Sequence, residues 1–235
     1  MSANGLKALF FDVFGTLVDW RSGVAREAEA VLKPLGFSVD WLAFADAWRE
    51  QYQPAMEEVR SGRRPYTKLD VLHGETLTGI LPHFGIDELA DADLNRLTWA
   101  WHRLDAWPDV RPALSLLRQR FLVAPVSNGN TAIMCDLARR NDFRWDAILG
   151  ADHARDFKPK AAVYLAAVDA FGLSSSECMM CAAHGSDLKA AAATGLRTAF
   201  IARPEERPGF SEVTLKMPVD LSCRTTLDLA SQLGA

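Results

Sequence analysis

Lys7-Ala-Leu-Phe-Phe-Asp-Val-Phe-Gly-Thr-Leu-Val-Asp19 is the stretch around which this 235-residue chain is predicted to fold. Residues 8–11 form a short apolar run, which is typical of a strand buried on both faces of a parallel sheet. The run ends at Asp12, and Gly15-Thr16 turns the chain away directly afterwards. Because a carboxylate is costly to desolvate, Asp12 indicates either chemistry beyond the strand end or a side-chain cap on the next turn.

The composition is that of an ordinary globular chain, with 49% hydrophobic and 24% charged residues, and the length suffices for a sizeable core. The formal net charge of −4 provides no basic surface for nucleic acid or for an acidic membrane, so neither kind of partner is expected. No apolar run approaches the roughly 18 residues of a membrane span, and residues 1–7 lack the layout of a signal peptide. We therefore expect a cytoplasmic location.

Two of the four cysteines form the spacing Cys178-Met-Met-Cys181, and His184 follows three residues later. This spacing is compatible with a redox or zinc site. The segment nevertheless has the pattern of a buried strand, and residues three apart on a strand point to opposite faces. We therefore predict small buried hydrophobic side chains at these positions.

Between residues 19 and 107 the hydrophobic periodicity is mostly helical, as in a predicted helix over 91–102. Six of the seven Trp residues lie between Trp20 and Trp107, and strands are nearly absent there. A small helical domain inserted into another domain explains this shift in composition.

From residue 108 onward, strands and helices alternate up to a final predicted strand at 198–201. The tail after Pro204 looks irregular, except for a helix at 227–233. We predict an α/β fold in which residues 1–18 and 108–235 form a doubly wound parallel sheet core. Residues 19–107 are predicted to form a helical cap domain.

Each predicted core strand is followed at once by polar residues, namely Asp12, Ser127-Asn128, Lys158, and His184 with Asp187. A doubly wound sheet brings these strand ends together, so we expect Asp12 to face Lys158, whose charge would keep the carboxylate ionised. A carboxylate there can act as a nucleophile that divides a difficult displacement into two steps. Taken alone, Ser127-Asn128-Gly129 also suits an ordinary turn.

Four short motifs in this order resemble those of the haloacid dehalogenase superfamily, whose members share a nucleophilic Asp on the first strand. The motifs are Phe11-Asp12-Val-Phe-Gly15-Thr16-Leu17, Ser127-Asn128-Gly129, Lys158-Pro159 and Gly185-Ser-Asp187. They are spread over residues 8–187, and the helical insertion corresponds to the cap domain of that family.

Two positions distinguish the branches of this superfamily. Magnesium-dependent phosphatases carry a second Asp two residues after the nucleophile, and usually an acidic residue four before the Asp of the last motif. Phe14 and Ala183 stand at these positions here, so magnesium would be poorly held. The chain is more similar to the metal-free L-2-haloacid dehalogenases, which have an aromatic residue at the first position and an Arg in the cap.

The resemblance to this branch implies a role for each matching residue. Asp12 is the implied nucleophile, Lys158 compensates its charge, and Asp187 is the acidic residue of the last motif. Residues implied to bind substrate or halide, or to lie close to them, are Thr16, Arg49 in Trp48-Arg49-Glu-Gln-Tyr52, Ser127, Asn128 and Tyr164. Simpler interpretations are that Arg49 is a solvated helix residue and that Tyr164 only packs.

The last motif departs from the branch, which usually has Ser-Ser-Asn and an aromatic residue before the Asp. The corresponding residues are Ala182-Ala183-His184-Gly185-Ser186, so both serines are lost and His184 replaces the Asn. His184 could donate a hydrogen bond or act as a general base at the site, or it could be a structural histidine bonded to the backbone. Halide size and stereochemistry stay open because of this difference.

Together these residues predict a hydrolase acting on carbon–halide bonds, which converts short 2-haloalkanoic acids to 2-hydroxy acids through an ester on Asp12. No metal or other cofactor is expected, and a water activated by Asp187 or His184 would cleave the ester. The expected partners are the small-molecule 2-haloacid and the departing halide, and the resemblance is compatible with a homodimer. Two alternatives stay open: a magnesium-dependent phosphatase of small phosphate esters, and a non-catalytic member that binds a small anion.

Overall fold

The computed structural model describes residues 5–209, 211–212, 214–215 and 217–235, and a parallel β-sheet lies at its centre. The strands are β1 (Ala8–Phe11), β2 (Val18–Asp19), β3 (Asp105–Ala106), β4 (Leu122–Ser127), β5 (Leu149–Gly150), β6 (Cys178–Ala182), β7 (Arg197–Ile201) and β8 (Leu221–Cys223). The helices are α1 (Trp20–Leu32), α2 (Trp41–Glu50), α3 (Tyr52–Arg60), α4 (Leu69–Ile80), α5 (Asp91–Thr98), α6 (Val110–Leu117), α7 (Thr131–Asn141), α8 (Ala151–Ala154), α9 (Ala161–Ala170), α10 (Gly185–Ala193) and α11 (Thr226–Leu233). Within the described residues, none of the helices is both long enough and apolar enough to cross a membrane.

Six strands form the core sheet in the order β5-β4-β1-β6-β7-β8, and all neighbouring pairs are parallel. Every residue of β1 is buried, because Ala8 and Phe10 belong to one apolar cluster and Leu9 and Phe11 belong to another. Both faces of the sheet are therefore covered, which confirms the doubly wound fold predicted from the sequence. The connections that leave β1 and β6 diverge, so their carboxyl ends form the crevice in which such folds bind ligands.

Helices α1–α5 lie between β1 and β4 in the chain, and a two-stranded ribbon joins the two ends of this insertion. The ribbon is the antiparallel pair β2–β3, at residues 18–19 and 105–106. We propose that residues 19–107 form a cap domain on a core of residues 1–18 and 108–235. One apolar cluster includes buried residues of both parts, so the cap packs directly on the core.

Two secondary-structure predictions are wrong. The helix predicted over 91–102 ends at Thr98 and is followed by a 3₁₀ turn at Trp99–His102. The tail after Pro204 contains β8, which pairs in parallel with β7 at the sheet edge. Three residues are too few to show a periodicity, so β8 is specified by its pairing and not by a local pattern.

Parts of two other predictions lie outside the described residues. Residues 1–4, which contribute to the judgement about a signal peptide, are among them, as are Phe210, Val213 and Lys216 of the tail. The predicted C-terminal helix is confirmed as α11, and the side chain of Thr225 caps it by accepting a hydrogen bond from the backbone N–H of Asp228.

Cys178 and Cys181 are fully buried and lie in different apolar clusters on opposite faces of β6, as predicted. Both are free thiols. Burial raises the pKa of Cys178 to about 11, so this thiol is not a reactive thiolate at neutral pH. The interpretation of these cysteines as small core residues is confirmed.

Candidate active site

The carboxyl ends of β1 and β6 open into a cleft of about 710 Å³, lined by residues of both the core and the cap helices. Asp12 directly follows β1, and Asp187 lies in the first turn of α10, which follows β6. Lys158 lies between α8 and α9, and Arg49 reaches the cleft from α2. The structure thus brings together charged side chains that are far apart in the sequence.

The Asp12 carboxylate is buried and has three side-chain hydrogen-bond partners. Lys158 Nζ lies 2.9 Å from Oδ1, while Thr16 Oγ1 lies 2.8 Å and His184 Nδ1 lies 3.0 Å from Oδ2. Burial disfavours the charged form, but Lys158 and His184 outweigh it and hold the pKa of Asp12 well below its ordinary value. Asp12 is therefore an ionised carboxylate with a lone pair of Oδ1 still unused.

Lys158 lies between two carboxylates. Its Nζ donates to Asp12 Oδ1 and, at 2.5 Å, to Asp187 Oδ2, and the residue is only 6% exposed. Burial alone would lower the pKa of Lys158, but the charges of Asp12 and Asp187 raise it above its ordinary value. Lys158 is consequently an ammonium ion that neutralises part of the charge at this edge.

Asp187 has a different environment from Asp12, although both carboxylates contact the same lysine. Tyr164 OH donates to Asp187 Oδ1 at 2.5 Å. Burial raises the pKa of Asp187, and the charge of Asp12 adds to this effect, while Lys158 and Tyr164 oppose it. Of the two carboxylates, Asp187 is therefore the better acceptor for a proton.

Asn128 and Ser127 lie at different depths. Asn128 lines the cleft, and its Oδ1 accepts a hydrogen bond from the backbone N–H of Lys158 at 2.7 Å. Ser127 is fully buried beneath the cleft, and its hydroxyl accepts a hydrogen bond from the backbone N–H of Gly129 at 3.0 Å. Asn128 thus holds the loop that carries the lysine, and the Ser127 hydroxyl hydrogen stays available for donation.

His184 lies between two carboxylates. Its Nδ1 is 3.0 Å from Asp12 Oδ2 and its Nε2 is 3.1 Å from Glu206 Oε2. Ionised carboxylates only accept hydrogen bonds, so both ring nitrogens carry a proton and His184 is an imidazolium ion. Burial opposes this charge, but the two carboxylates raise the pKa of His184 to about 10. At neutral pH His184 has no free nitrogen that could accept a proton from water, so the structure does not favour its interpretation as a general base.

Glu206 was not predicted from the sequence, because it lies in the tail that looks irregular. Its carboxylate is buried and accepts a hydrogen bond from Trp20 Nε1 at 2.7 Å. Burial opposes its ionisation, but the contact with His184 lowers the pKa of Glu206 below its ordinary value. Gly15 makes room for it: at φ +84°, a Cβ on Gly15 would lie 2.0 Å from Glu206 Oε1. No local signal in the sequence connects residues so far apart.

Aromatic rings pack around the guanidinium group of Arg49 on the cap side of the cleft. The guanidinium carbon lies 3.8 Å from the centre of the Tyr52 ring and 5.3 Å from that of Trp20. Arg49 Nη1 is buried without a hydrogen-bond partner, and among the buried side-chain nitrogens and oxygens of the described residues this is otherwise true only of nitrogens of His73 and Trp101. Arg49 is therefore not a solvated surface residue, and its unpaired donor can serve an anion.

Helix α3 contributes further residues to the cleft that were not predicted, namely Gln53, Glu57 and Arg60. Arg60 Nη1 donates to the backbone carbonyl of Lys158 at 2.9 Å, which links the cap to the core beside Asp12. In the sequence these residues look like an ordinary solvated helix face. Only the packing of the cap on the core brings them to the cleft.

The donor set between Asp12 and Asp187 suits an ammonium group better than a divalent cation. Lys158 Nζ occupies the position between the two carboxylates and bonds to both. Phe14, which packs edge-on against Trp101 with ring centres 5.6 Å apart, offers no oxygen ligand. In the described part of the chain, no group of three or more His, Cys, Asp or Glu residues is arranged to hold a metal ion.

Comparisons with known proteins all lead to one family. A model described as haloacid dehalogenase-like hydrolase matches residues 6–195. The chain is 30% identical over 220 residues to (S)-2-haloacid dehalogenase 4A of Burkholderia cepacia, covering 92% of each sequence. It is similar to the structure of the defluorinating L-2-haloacid dehalogenase Rha0230, with a TM-score of 0.96, 40% identity and coverage of 100% of this chain and 99% of that chain. The L-2-haloacid dehalogenase PA0810 is similar with a TM-score of 0.93 and 44% identity, covering 97% of this chain and 99% of that chain.

Proposed function

Because the chain belongs to the haloacid dehalogenase-like hydrolase family, we propose that it hydrolyses short 2-haloalkanoic acids to 2-hydroxy acids through an ester on Asp12. The observation that carries this proposal is the Asp12 carboxylate, ionised and balanced by Lys158 where a phosphatase would hold magnesium. The names of the relatives support the choice of substrate class. The reaction is proposed to need no metal ion.

In the first step, Asp12 Oδ1 attacks the carbon that bears the halogen, from the side opposite to the halogen. Oδ1 accepts one hydrogen bond and Oδ2 has two partners, so Oδ1 has the lone pair that can form the new bond. The carbon–oxygen bond forms as the carbon–halogen bond breaks and its electron pair leaves with the halide. The configuration at carbon is inverted.

The cap and the core each supply a donor for the leaving group. The unpaired Arg49 Nη1 and the side chain of Asn128, both at the cleft, are proposed to stabilise the departing halide. The substrate carboxylate is proposed to bind to the backbone amides after Asp12, near Thr16 and the Ser127 hydroxyl. Apolar rings around Arg49 exclude bulk water, which would otherwise weaken each of these charge contacts.

In the second step, water attacks the Asp12 carbonyl carbon and gives a proton to Asp187, whose raised pKa suits it to this role. The bond from that carbon to Oδ1 then breaks, and the product oxygen takes a proton from Lys158. Asp187 returns its proton to Lys158 across their 2.5 Å contact. The acid form of Asp12 finally ionises, so one proton and one halide ion are released in each turnover.

The test is to measure halide and hydroxy acid release from L- and D-2-haloacids in the presence of chelator, together with mass spectrometry for an ester on Asp12. Release with inversion and a transient mass increase on the peptide containing Asp12 are expected. Thermal stabilisation by haloacids without turnover would contradict the proposal in favour of an anion-binding protein. Chelator-sensitive release of inorganic phosphate from small phosphate esters, with no halide release, would contradict it in favour of a phosphatase.

Cytoplasmic location and the homodimer stay predictions.

A further inference from the structure

We propose that His184 and Glu206 act as a charged pair in the second half of the reaction, in which His184 stabilises the oxyanion formed on Asp12 during ester hydrolysis. Glu206 is the positioning residue that keeps His184 protonated. This role rests on the proposed ester on Asp12. It differs from the interpretation of His184 as a general base, because the imidazolium keeps its proton throughout.

The two oxygens of Asp12 have different surroundings, and this difference assigns their roles. If Oδ1 forms the ester bond, Oδ2 becomes the carbonyl oxygen. Oδ2 already faces two donors, Thr16 Oγ1 at 2.8 Å and His184 Nδ1 at 3.0 Å. The Thr16 hydroxyl is itself oriented, since it accepts a hydrogen bond from the backbone N–H of Ala183 at 2.9 Å. Such preorganised donors are what a developing oxyanion requires.

The hydrolysis step shows why the charge on His184 matters. When the water oxygen bonds to the Asp12 carbonyl carbon, the π electron pair of the carbonyl moves to Oδ2. The negative charge then lies between the Thr16 hydroxyl and the His184 Nδ1–H group. When the intermediate collapses, the carbonyl re-forms and the bond to Oδ1 breaks. A donor that is charged binds the oxyanion about twice as strongly as a neutral one.

Glu206 becomes essential once the ester has formed. Esterification removes the negative charge of Asp12, so one of the two carboxylates that favour the imidazolium is lost. Glu206, held by Trp20 Nε1 and buried against Gly15, still contacts Nε2 at 3.1 Å. It is then the carboxylate in contact with His184 that preserves its charge.

Other charged groups lie around this pair. Lys158 and Asp187 lie behind Asp12, and Arg49 lies on the cap side near Glu206. Arg207 and Glu212 line the same pocket as His184, Gly185 and Glu206. Glu212 accepts a hydrogen bond from the Gly185 N–H at 2.7 Å. Glu212 offers a matched control, since it has the same charge as Glu206 but bonds to the backbone beside His184 and not to its ring.

The experiment separates the two half-reactions with a rapid-quench measurement of the Asp12 ester by mass spectrometry, using 2-chloropropionate as the probe. In Glu206→Gln we expect ester formation to change little and ester hydrolysis to slow by about 10²–10³-fold near pH 8, so that the ester accumulates. The ratio of wild-type to variant hydrolysis rate should shrink toward about pH 6, because His184 regains its proton there. Glu212→Gln should change neither the rate nor its pH dependence.

Glu206→Gln with the hydrolysis rate and pH profile of the wild type would overturn the proposal. His184→Asn provides a second measurement if Glu206→Gln folds poorly. It should slow hydrolysis with no recovery at lower pH, because Asn cannot gain a charge, and recovery at lower pH would overturn the proposal as well. If the wild-type enzyme itself forms no ester on Asp12, the proposed function fails first and this role falls with it.

Discussion

The two sides of the cleft differ in how their charged groups are paired. One side is the strand edge, formed by the carboxyl ends of the core strands, and the other is the cap side. At the strand edge, Asp12, Lys158 and Asp187 are buried charges, and each has a partner of opposite charge. On the cap side, the guanidinium group of Arg49 packs against the rings of Tyr52 and Trp20. These two rings belong to an aromatic cluster that also contains Trp48, His73 and Trp101. Buried side-chain nitrogens of Arg49, His73 and Trp101 have no hydrogen-bond partner. At the strand edge these charges are all paired, whereas the cap side contains a guanidinium group with an unpaired N–H donor.

In the proposed reaction, this difference assigns a separate part to each region. A complete network of alternating charges would hold the proposed nucleophile and its proposed proton carriers in place before substrate binds, so that little reorganisation is needed at the moment of reaction. Unpaired donors among apolar rings would bind the halide anion that the proposed reaction produces when the carbon–halogen bond breaks. Burial and the nearby Arg49 lower the pKa of His73 well below its ordinary value, so His73 adds no second positive charge to the cluster.

The largest effect is expected from breaking the strand edge at its centre. Asp12→Asn removes the nucleophilic oxygen and should lower halide release by on the order of 10⁴-fold or more, with no ester detectable by mass spectrometry. Lys158 would retain Asp187 as a partner, so the variant should fold. A folded Asp12→Asn variant with a rate within tenfold of wild type would show that another group attacks the substrate.

A smaller loss of activity is expected when the guanidinium charge of Arg49 is removed from the cap side of the cleft. Arg49→Gln should slow halide departure and thus ester formation by about 10²–10³-fold, while the hydrolysis of an ester that has formed changes little. Single-turnover halide release measures this directly. Arg63→Gln is a suitable control because Arg63 is exposed and pairs with Glu58. Equal losses in both variants would mean that net charge, and not the position of Arg49, is responsible.

A change beside Asp187 is expected to act mainly on the pH dependence of ester hydrolysis. Tyr164→Phe removes the donor to Asp187 Oδ1, which stabilises the ionised form, so the pKa of Asp187 should rise further. Since Asp187 must be ionised to accept a proton, the acid limb of ester hydrolysis should move to higher pH, with about a tenfold loss on the acid side. An unchanged acid limb would exclude Asp187 as the base.

The smallest expected effect concerns stability. The folded-state pKa of His184 is raised from 6.5 to about 10, so its stabilising contribution is fully present below about pH 6.5 and is lost as the pH rises through 10. His184→Gln should therefore flatten the decline of the unfolding free energy over this range, measured by denaturant titration at several pH values. A decline as steep as that of wild type would contradict the raised pKa.

His102 provides the matched control for that measurement. It also lies between two carboxylates, with Nδ1 2.8 Å from Asp136 and Nε2 2.9 Å from Asp70. Burial opposes its charge, but Asp70 and Asp136 raise the pKa of His102. Because its pKa is raised from 6.5, the stabilising contribution of His102 is fully present below about pH 6.5 and is lost at higher pH, so His102→Gln should also flatten the decline of the unfolding free energy. It should leave the pH dependence of ester hydrolysis unchanged, because His102 is not among the residues that line the cleft.

The part of the site that lies at the strand ends can be predicted from local sequence. Parallel strands bring their carboxyl ends to one edge, so the sequence alone predicts that Asp12, Lys158, His184 and Asp187 lie near one another. The helical insertion can also be predicted from the sequence, because helical periodicity and the clustering of Trp residues are local properties of the chain.

Only the folded chain specifies which of these residues are in contact and which charge each one carries. Glu206 meets Trp20 across 186 residues of chain, and it reaches His184 only because Gly15 leaves space for its carboxylate. The protonation of His184 depends on that contact, since a histidine between two carboxylates is an imidazolium and one bonded to a backbone group need not be. Local sequence specifies strands and turns through short-range preferences, whereas burial and charge pairing arise only when distant segments pack together.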